Sequence, residues 1–396
     1  MPWKIVSLLR ARQQLVELML ARRHTVQTLC CRFGVSCKTA YKWLVRFRGG
    51  GVAGLRDRSC RPCSSPQQLA APWVKAIQQW RRHRPHWGAK KIWQRLRETF
   101  PRRRVPCVRS IHRCLQRSGR VRPQPRRARK GPLLPAPGLT RPARSNQVWT
   151  VDFKGWFRTA DGQRQEPLTV RDLFSRYGLC LRLLPNQDDA GARRVFQRLF
   201  GQRGLPRIIR VDNGSPFAGK GALGLSRLSV WWLRLGIRVE FTRRARPGDN
   251  AGHEQFHGCY QREIVNQGGP QRRGLQERSD RWLANYNHDR PHEALRQRTP
   301  AEVYRPSRRP YPQVLPPLVY PKMWEVRRVR NRGHIKWQGR LRFIGRAFVG
   351  QNLGLKLSGD QHWEIYLGKQ LIGQLHAKDA GGLHPAHWQR DWAFKV

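Results

Sequence analysis

Acidic residues are distributed so unevenly along this 396-residue chain that they divide it before any other feature does. Residues 1–151 hold three, Glu17, Asp57 and Glu98, whereas residues 152–302 hold sixteen of the 24 and the remainder five. From Thr99 to Val151 fourteen Arg and Lys pass without one carboxylate, and then Asp152 appears inside an apolar run, VWTVDF. The pattern predicts a basic N-terminal module, a more balanced central domain and a basic tail. With 79 basic residues in all, the net charge is +55. A field of that size chooses partners, not a fold. Nucleic acid comes first, because phosphate contacts by Arg and Lys release counterions. No run of 18 apolar residues is present, so no membrane partner is expected, and the first residues, MPWKIVSLLRARQQ, lack the apolar stretch and cleavage site of a secretion signal. Nine cysteines, an odd number, do not look like a secreted disulfide framework. Cys60 and Cys63 form a C-x-x-C, but no second pair follows and Cys30, Cys31 and Cys37 are irregularly spaced, so a zinc site is not expected. The expected location is the cytoplasm, in association with the nucleoid.

Apolar periodicity fills in this division. Residues 7–23 have helical spacing. Val26, Leu29, Cys30 and Phe33 then share one helical face, Gly34 supplies a turn, Ser36 an N-cap, and Ala40, Leu44 and Phe47 a second face. This reads as a helix-turn-helix over residues 1–58, with Ser36, Lys38, Thr39 and Lys42 as DNA contacts. The stretch 49–68, with three consecutive glycines and two prolines, reads as a linker. Residues 65–120 read as a second helical DNA-binding domain, with Lys90, Lys91 and Arg109 as contacts. Residues 121–145 are an Arg- and Pro-rich linker without a period. Three strand-like segments beginning at QVWTVDF, followed by alternating helices and strands, predict an α/β domain with a mixed sheet over 146–305. Near its end, Thr299, Pro300 and Glu302 predict a capping box. Short alternating segments over 325–380, with turns at Gly359-Asp360 and Gly368-Lys369, predict a small β-barrel.

The carboxylates of the balanced region give it a chemistry. Asp152 lies in the first strand, Asp212 follows the fourth in RVDNGSPF, and Glu254 opens a helix in PGDNAGHEQFHGCY. If strands one and four are neighbours and the helix packs beside them, the three converge. Carboxylates that close repel one another unless a cation lies among them. Hard oxygen ligands suit Mg²⁺ or Mn²⁺, and two such ions can serve the attacking and leaving oxygens at a phosphorus. Basic surroundings bring in a polyanion, and the acids hold the metals that act on it.

The motifs VDFKGWF, DLFSRY, VDNGSPF, GLSRLSVWWLRLGIRVE, PGDNAGHE and NHDRPHEALRQRTPAEVY occur in this order. Upstream are MPWK, GVSCKTAYKWL, GLRDRSCRP and WGAKKIWQRL. Over nearly its whole length the chain resembles bacterial insertion-sequence transposases of the DDE class, with a ribonuclease H-like, retroviral-integrase-type core. The resemblance implies binding to double-stranded DNA at element ends and target, metal-dependent strand cleavage and transfer, and homo-oligomers on DNA. It assigns Asp152, Asp212 and Glu254 as catalytic and metal-binding residues, with two Mg²⁺ or Mn²⁺ ions. The alternative is a decayed copy acting as a DNA-binding repressor or architectural factor. Departures from the family pattern bear on that choice: Ala251 where glycine is usual, Gln255 and Phe256 after the glutamate, and a longer step from Asp212 to Glu254.

Other residues receive lesser expectations. Lys154 and Asn213 adjoin two of the acids and are expected to contact a phosphate or orient a ligand. Glu263, nine residues past Glu254, falls on the opposite helix face, where a substitution is expected to be nearly silent. Asp249 or Asn250 caps the helix, and Asp172 pairs with Arg171 or Arg176. His253 and His257 flank Glu254 but are not assigned as ligands, since hard-cation sites prefer oxygen. Arg290 and His292 either stabilise a turn or touch substrate.

Overall fold

The computed structural model describes residues 7–60, 68–121, 138–219, 221–243, 247–267, 272–359, 361–378 and 381–386. The chain divides into two units, Met1–Leu69 and Ala70–Val396. Most of the Arg- and Pro-rich linker, together with Cys63 and Asp360, lies outside the described residues.

In the first unit, α1 (Leu8–Leu20), α2 (Val26–Phe33) and α3 (Cys37–Gly54) each begin at a hydroxyl N-cap. Ser7, Thr25 and Ser36 accept a hydrogen bond from the backbone N–H three residues on, satisfying a donor that the first turn leaves free. Gly34 closes α2 at a φ of 63°, a left-handed conformation that favours glycine and makes the tight turn possible. Leu15, Val16 and Met19 of α1 pack with Leu29 and Cys30 of α2 and with Ala40, Trp43 and Leu44 of α3. Arg12 is buried among them, its guanidinium 3.9 Å from the Trp43 ring centroid and 2.9 Å from the Leu55 carbonyl to which it donates. The linker expected from Gly49 begins later. Helical hydrogen bonding runs on to Gly54 across a break at Gly50 and Gly51, because glycine tolerates the positive φ of 55° found at Gly51.

The second unit opens with α4 (Ala71–His83), α5 (Ala89–Thr99) and α6 (Val108–Arg117), which bury Ile77, Ile92, Leu96, Ile111 and Leu115. The central sheet contains β1 (Val148–Phe153), β2 (Phe157–Arg158), β3 (Arg164–Asp172), β4 (Gly178–Leu184), β5 (Ile208–Val211) and β6 (Arg238–Phe241). β3 runs antiparallel between β4 and β1, and short β2 extends its N-terminal end. β5 runs parallel to β1, and β6 parallel to β5. Two parallel crossovers supply the helices: α7 (Asp189–Arg203) precedes β5, and α8 (Arg227–Arg234) precedes β6. Their Phe196, Phe200, Trp231 and Trp232 cover one face of the sheet at Trp149, Val151, Leu168, Val170, Ile209, Val211 and Val239. α9 (Ala251–Glu263) and α10 (Arg272–His288) build a second core around Phe256, Tyr260, Trp282 and Tyr286 with Leu181 and Leu183 of β4. The mixed sheet with helices on both faces is the architecture expected of the central domain. The short α11 (Pro300–Val303) ends it. Thr299 donates to the Glu302 carboxylate at 2.9 Å and makes no backbone cap, so the side chains meet each other and the expected capping box is not formed.

The C-terminal strands are β7 (Glu325–Arg328), β8 (His334–Trp337), β9 (Arg340–Phe343), β10 (Asn352–Leu357), β11 (His362–Leu367), β12 (Gln370–His376) and β13 (His384–Pro385). They form an antiparallel sheet in the order β13-β12-β11-β10-β7 and a separate β8–β9 hairpin. The expected barrel is not formed by these pairings. β8 and β9 pair with each other, so the edges at β7 and β13 are not joined. The inner side of the sheet shares its core with the central domain. Trp337, Phe348, Leu355, Ile365 and Ile372 pack with Ala222, Leu223, Leu225 and Val230, the segment just before and within α8. Among the described residues no helix is long and apolar enough to cross a membrane.

Candidate active site

Pleating sorts β1 and β3 into two faces. Trp149, Val151, Leu168 and Val170 enter the apolar core. Thr150, Asp152, Thr169 and Arg171 alternate with them and meet α9. There the Thr169 hydroxyl donates to the Asp152 carbonyl at 2.9 Å and contacts His253 Nε2 at 2.6 Å and His257 Nε2 at 2.7 Å. His253 Nδ1 lies 2.9 Å from the Thr150 hydroxyl, and Arg171 donates to the Gly252 carbonyl. Two histidines one helical turn apart thus dock α9 onto the polar face of the sheet. Burial holds both imidazoles neutral, His257 down to about 3, with the Lys154 charge adding to the effect.

Three elements deliver the acids. Thr150 of β1 pairs with Arg210 of parallel β5, so Asp152 and Asp212, each two residues further on, leave the sheet at the same edge. Glu254 lies in the first turn of α9. Burial, then the charge of Asp212, and further Glu254, raise the Asp152 carboxyl from 3.8 to about 7. Asp212 and Glu254 are solvent-exposed, and among the described residues no three carboxylate, imidazole or thiol groups form a closed metal cluster. The acids therefore share one edge closely enough to feel each other's charge. Asn250, at the start of α9, donates from Nδ2 to Asp152 Oδ2 at 3.3 Å and makes no helix cap. Its Oδ1 is buried without a hydrogen-bond partner. An unsatisfied amide oxygen beside the Asp152 carboxylate is an oxygen donor of the kind a hard cation takes.

The rival acids are all engaged in structure. Asp249 pairs with Arg243 at 2.8 Å, which lowers its carboxyl below the usual range. Asp172 accepts from the Asn146 and Ser175 backbone and the Ser175 hydroxyl, closing a turn, and makes no ion pair with Arg171 or Arg176. Glu263 pairs with buried Arg290 and accepts from Trp282 Nε1 at 2.9 Å, so it is far from a free surface acid. Arg290 thereby takes a structural place between α9 and α10. Asn213 donates to the Thr242 carbonyl at 2.7 Å, tying the loop after β5 to the end of β6. Half-buried Lys154 keeps its ammonium over the Phe157 ring at 5.6 Å, its basicity lowered by burial. The departures noted in the sequence leave the backbone unstrained. Ala251 begins α9 without a positive φ, and Phe256 is a buried member of the α9–α10 core.

The DNA-contact expectations divide. Lys38 and Lys42 are exposed on α3, whereas Ser36 caps the helix and Thr39 donates its N–H to that cap. Tyr41 and Val45, 51% and 68% exposed on the same helix, went unnoticed in the sequence; their departure from the apolar face was the available signal. Arg109 is exposed on α6. Lys90 and Lys91 are not free. Lys90 pairs with Glu293, and Lys91 is half-buried near Arg290, its ammonium lowered to about 8 by burial and then by that charge. They lie where α5 meets the central domain, beside Arg84 and Arg95, which both pair with Asp289.

Families of known proteins match successive stretches of the chain. A helix-turn-helix domain family matches residues 11–62 and a homeodomain-like family residues 39–115. Integrase core domain families match 142–247 and 235–300, and the C-terminal domain of IS481 family transposases matches 324–381. The insertion element IS407 uncharacterized 31.7 kDa protein of Burkholderia multivorans is 27% identical over 181 residues, 45% of this chain and 62% of that relative, so just under two thirds of the relative's length is spanned. The insertion element IS476 uncharacterized 39.2 kDa protein of Xanthomonas euvesicatoria is 27% identical over 258 residues, 63% of this chain and 70% of the relative. Among solved structures, the HTLV-2 integrase catalytic core domain in complex with magnesium is 14% identical, covering 42% of this chain and 100% of its own, with a TM-score of 0.32. The simian T-cell lymphotropic virus intasome in complex with a PP2A regulatory subunit is also 14% identical, covering 60% and 83%, with a TM-score of 0.32. Matches to helix-turn-helix, integrase core and IS481 transposase C-terminal domain families follow one another along this one chain, and the relatives it resembles are insertion-element proteins.

Proposed function

We propose that the chain is a DDE transposase that binds the ends of its mobile element and catalyses metal-dependent cleavage and transfer of DNA strands. What supports this reading is that Asp152 and Asp212 leave adjacent parallel strands at one end while Glu254 lies in the first turn of α9, in a chain of net charge +55; burial first, and then the charges of Asp212 and Glu254, raise the Asp152 carboxyl to about 7. Asp152, Asp212 and Glu254 would hold two Mg²⁺ or Mn²⁺ ions, and the orphaned Asn250 oxygen fits the same donor set. Bound there, the ions would supply Lewis acidity to the attacking and leaving oxygens.

The protein's own part is positional. Lys154, beside Asp152, contacts a phosphate of the scissile strand, while β1, β5 and α9 fix the acids. Water attacks a phosphodiester at the element end, the P–O bond to the 3′ oxygen breaks, and the 3′-OH is released. That hydroxyl then attacks a phosphodiester of target DNA and displaces its 3′ oxygen, so phosphodiester number is conserved in the joining step. Exposed Lys38, Tyr41, Lys42 and Val45 of α3 read the element end, with Arg109 on α6 as a second contact. Pairing two ends calls for a homo-oligomer on DNA, within the nucleoid. The test is incubation of the protein with element-end duplex and Mn²⁺, scoring nicked and joined products. Asp152→Asn, Asp212→Asn and Glu254→Gln should each abolish both products while end binding stays nearly unchanged. Wild-type nicking by two of the three variants would sink the assignment.

A further inference from the structure

The second helical group meets the central domain through charge. None of the hydrophobic clusters formed by the described residues joins a side chain of α4, α5 or α6 to one of the central domain. Ion pairs connect them instead. Asp289, just past α10, receives Arg84 at 2.6 Å and Arg95 at 3.0 Å, and Glu293 receives Lys90 at 2.5 Å. Three cations thus converge on two carboxylates, so this surface keeps a positive excess with the acids in place. Much of it is open to water. The Lys90 and Glu293 side chains are 58% and 71% exposed, and those of Arg84 and Asp289 are 33% and 29% exposed. Exposed pairs contribute little, because water and salt screen them. Lys91 even opposes the contact. It lies beside Arg290 of the central domain, where burial and then that like charge lower its ammonium from 10.5 to about 8. A phosphate oxygen accepts from Arg and Lys as a carboxylate does, and contact with DNA adds the release of counterions.

We propose that Arg84, Lys90 and Arg95 form a duplex-contact surface that Asp289 and Glu293 cover in the DNA-free protein, and that phosphates of bound DNA take the place of these carboxylates. This rests on the DNA-binding reading above and is independent of the metal site. The turn after α10 is then an internal stand-in for the DNA backbone. Docking and DNA binding oppose each other by linkage: whatever loosens the helices tightens DNA, and DNA loosens the helices. Binding through these three residues is indifferent to sequence, since only phosphates are touched.

The experiment measures binding of a duplex of arbitrary sequence to the full-length protein over a range of salt. In Asp289→Asn/Glu293→Gln the three cations are uncovered. Each one that reaches a phosphate adds about 0.9 to the slope of log affinity against log salt, so the slope should steepen by about 2–3 relative to wild type. Asp161→Asn/Glu277→Gln, which removes the same charge from two exposed acids elsewhere, should leave the slope nearly unchanged. A second measurement uses the wild type alone. A water-soluble carbodiimide, which condenses an amine with a carboxylate, should join Lys90 to Glu293 in the DNA-free protein, and saturating duplex should suppress that product severalfold. Equal slopes for the two double variants, or a Lys90–Glu293 product that is missing without DNA or undiminished with it, would overturn the proposal and leave these pairs as docking contacts only. Failure of the wild type to bind any duplex would sink the DNA-binding reading itself, and this proposal with it.

Discussion

Arg290, on the turn after α10, is ion-paired with Glu263 at the last residue of α9. Only 5% and 14% of the two side chains are exposed. The pair fastens the far end of the helix whose first turn carries Glu254. Breaking a buried pair strands the other charge, so Arg290→Met should lower unfolding stability by about 3–5 kcal/mol. Glu263→Gln still accepts from Trp282 and should cost about 1–2 kcal/mol. Urea unfolding measures both. Wild-type stability of Glu263→Gln would return this residue to the silent role that helix periodicity alone suggested.

The Asp152 carboxyl gives the metal-free protein a pH signature. Its folded value is raised to about 7 from 3.8, so the folded state holds the proton more tightly than the unfolded chain does. The resulting stability is complete below about pH 4 and is lost as pH rises through about 7. In EDTA, Asp152→Asn should remove that loss, making the variant about 4 kcal/mol more stable than wild type at pH 8 and nearly equal to it at pH 4. Parallel pH profiles for the two proteins would show that neither burial nor the neighbouring acids hold the proton on this carboxyl.

Recognition by α3 should depend on salt in a particular way. Contacts to about 6–10 phosphates give a slope of log affinity against log salt of about −5 to −9 on any duplex. Base contacts from Lys38, Tyr41 and Lys42 are short-ranged, so preference for element ends should widen as salt approaches physiological levels. Changing all three to Ala should erase the preference and cut binding to scrambled DNA less. Titrations on both duplexes decide this. Equal losses on the two would leave α3 with phosphates alone.

Asp289 receives Arg84 and Arg95 from the α4–α5 region, so it is the hub through which the second helical group is docked on the central domain. Asp289→Ala should increase cleavage by trypsin within residues 81–97 severalfold, with little change in the central domain's own fragments. An unchanged digestion pattern would mean that the Lys90–Glu293 pair and apolar contacts hold the helices in place without Asp289.

Much of this was legible in the sequence because local rules agreed with the final fold. Ser36 and Gly34 mark the helix-turn-helix through cap and turn chemistry, and the alternation of VWTVDF places Asp152 away from the apolar face. Asp212 and Glu254 followed once β1 and β5 were taken as neighbours. What escaped was non-local. That Lys90 and Lys91 face Glu293 and Arg290, or that Glu263 meets Arg290, depends on pairings about 27 to 203 residues apart that no periodicity encodes. The supposed barrel failed for a related reason. Alternation specifies strands and a buried face, but not whether edge strands meet. Thr169 is the sharpest case, since a threonine in a buried strand gives no sign that its hydroxyl meets two histidines of α9.

The hydrophobic core shared by the C-terminal sheet and residues 222–230 has a mechanical consequence. That stretch lies between Asp212 and Glu254, in the step that is longer than in many related cores. The added length is a hub cap with an axle through it: its outer side seats the sheet, and its inner side continues into α8. A displacement of the distal sheet is therefore passed to the segment that separates Asp212 from Glu254, and the C-terminal strands are geared to that stretch and do not hang from it on a tether.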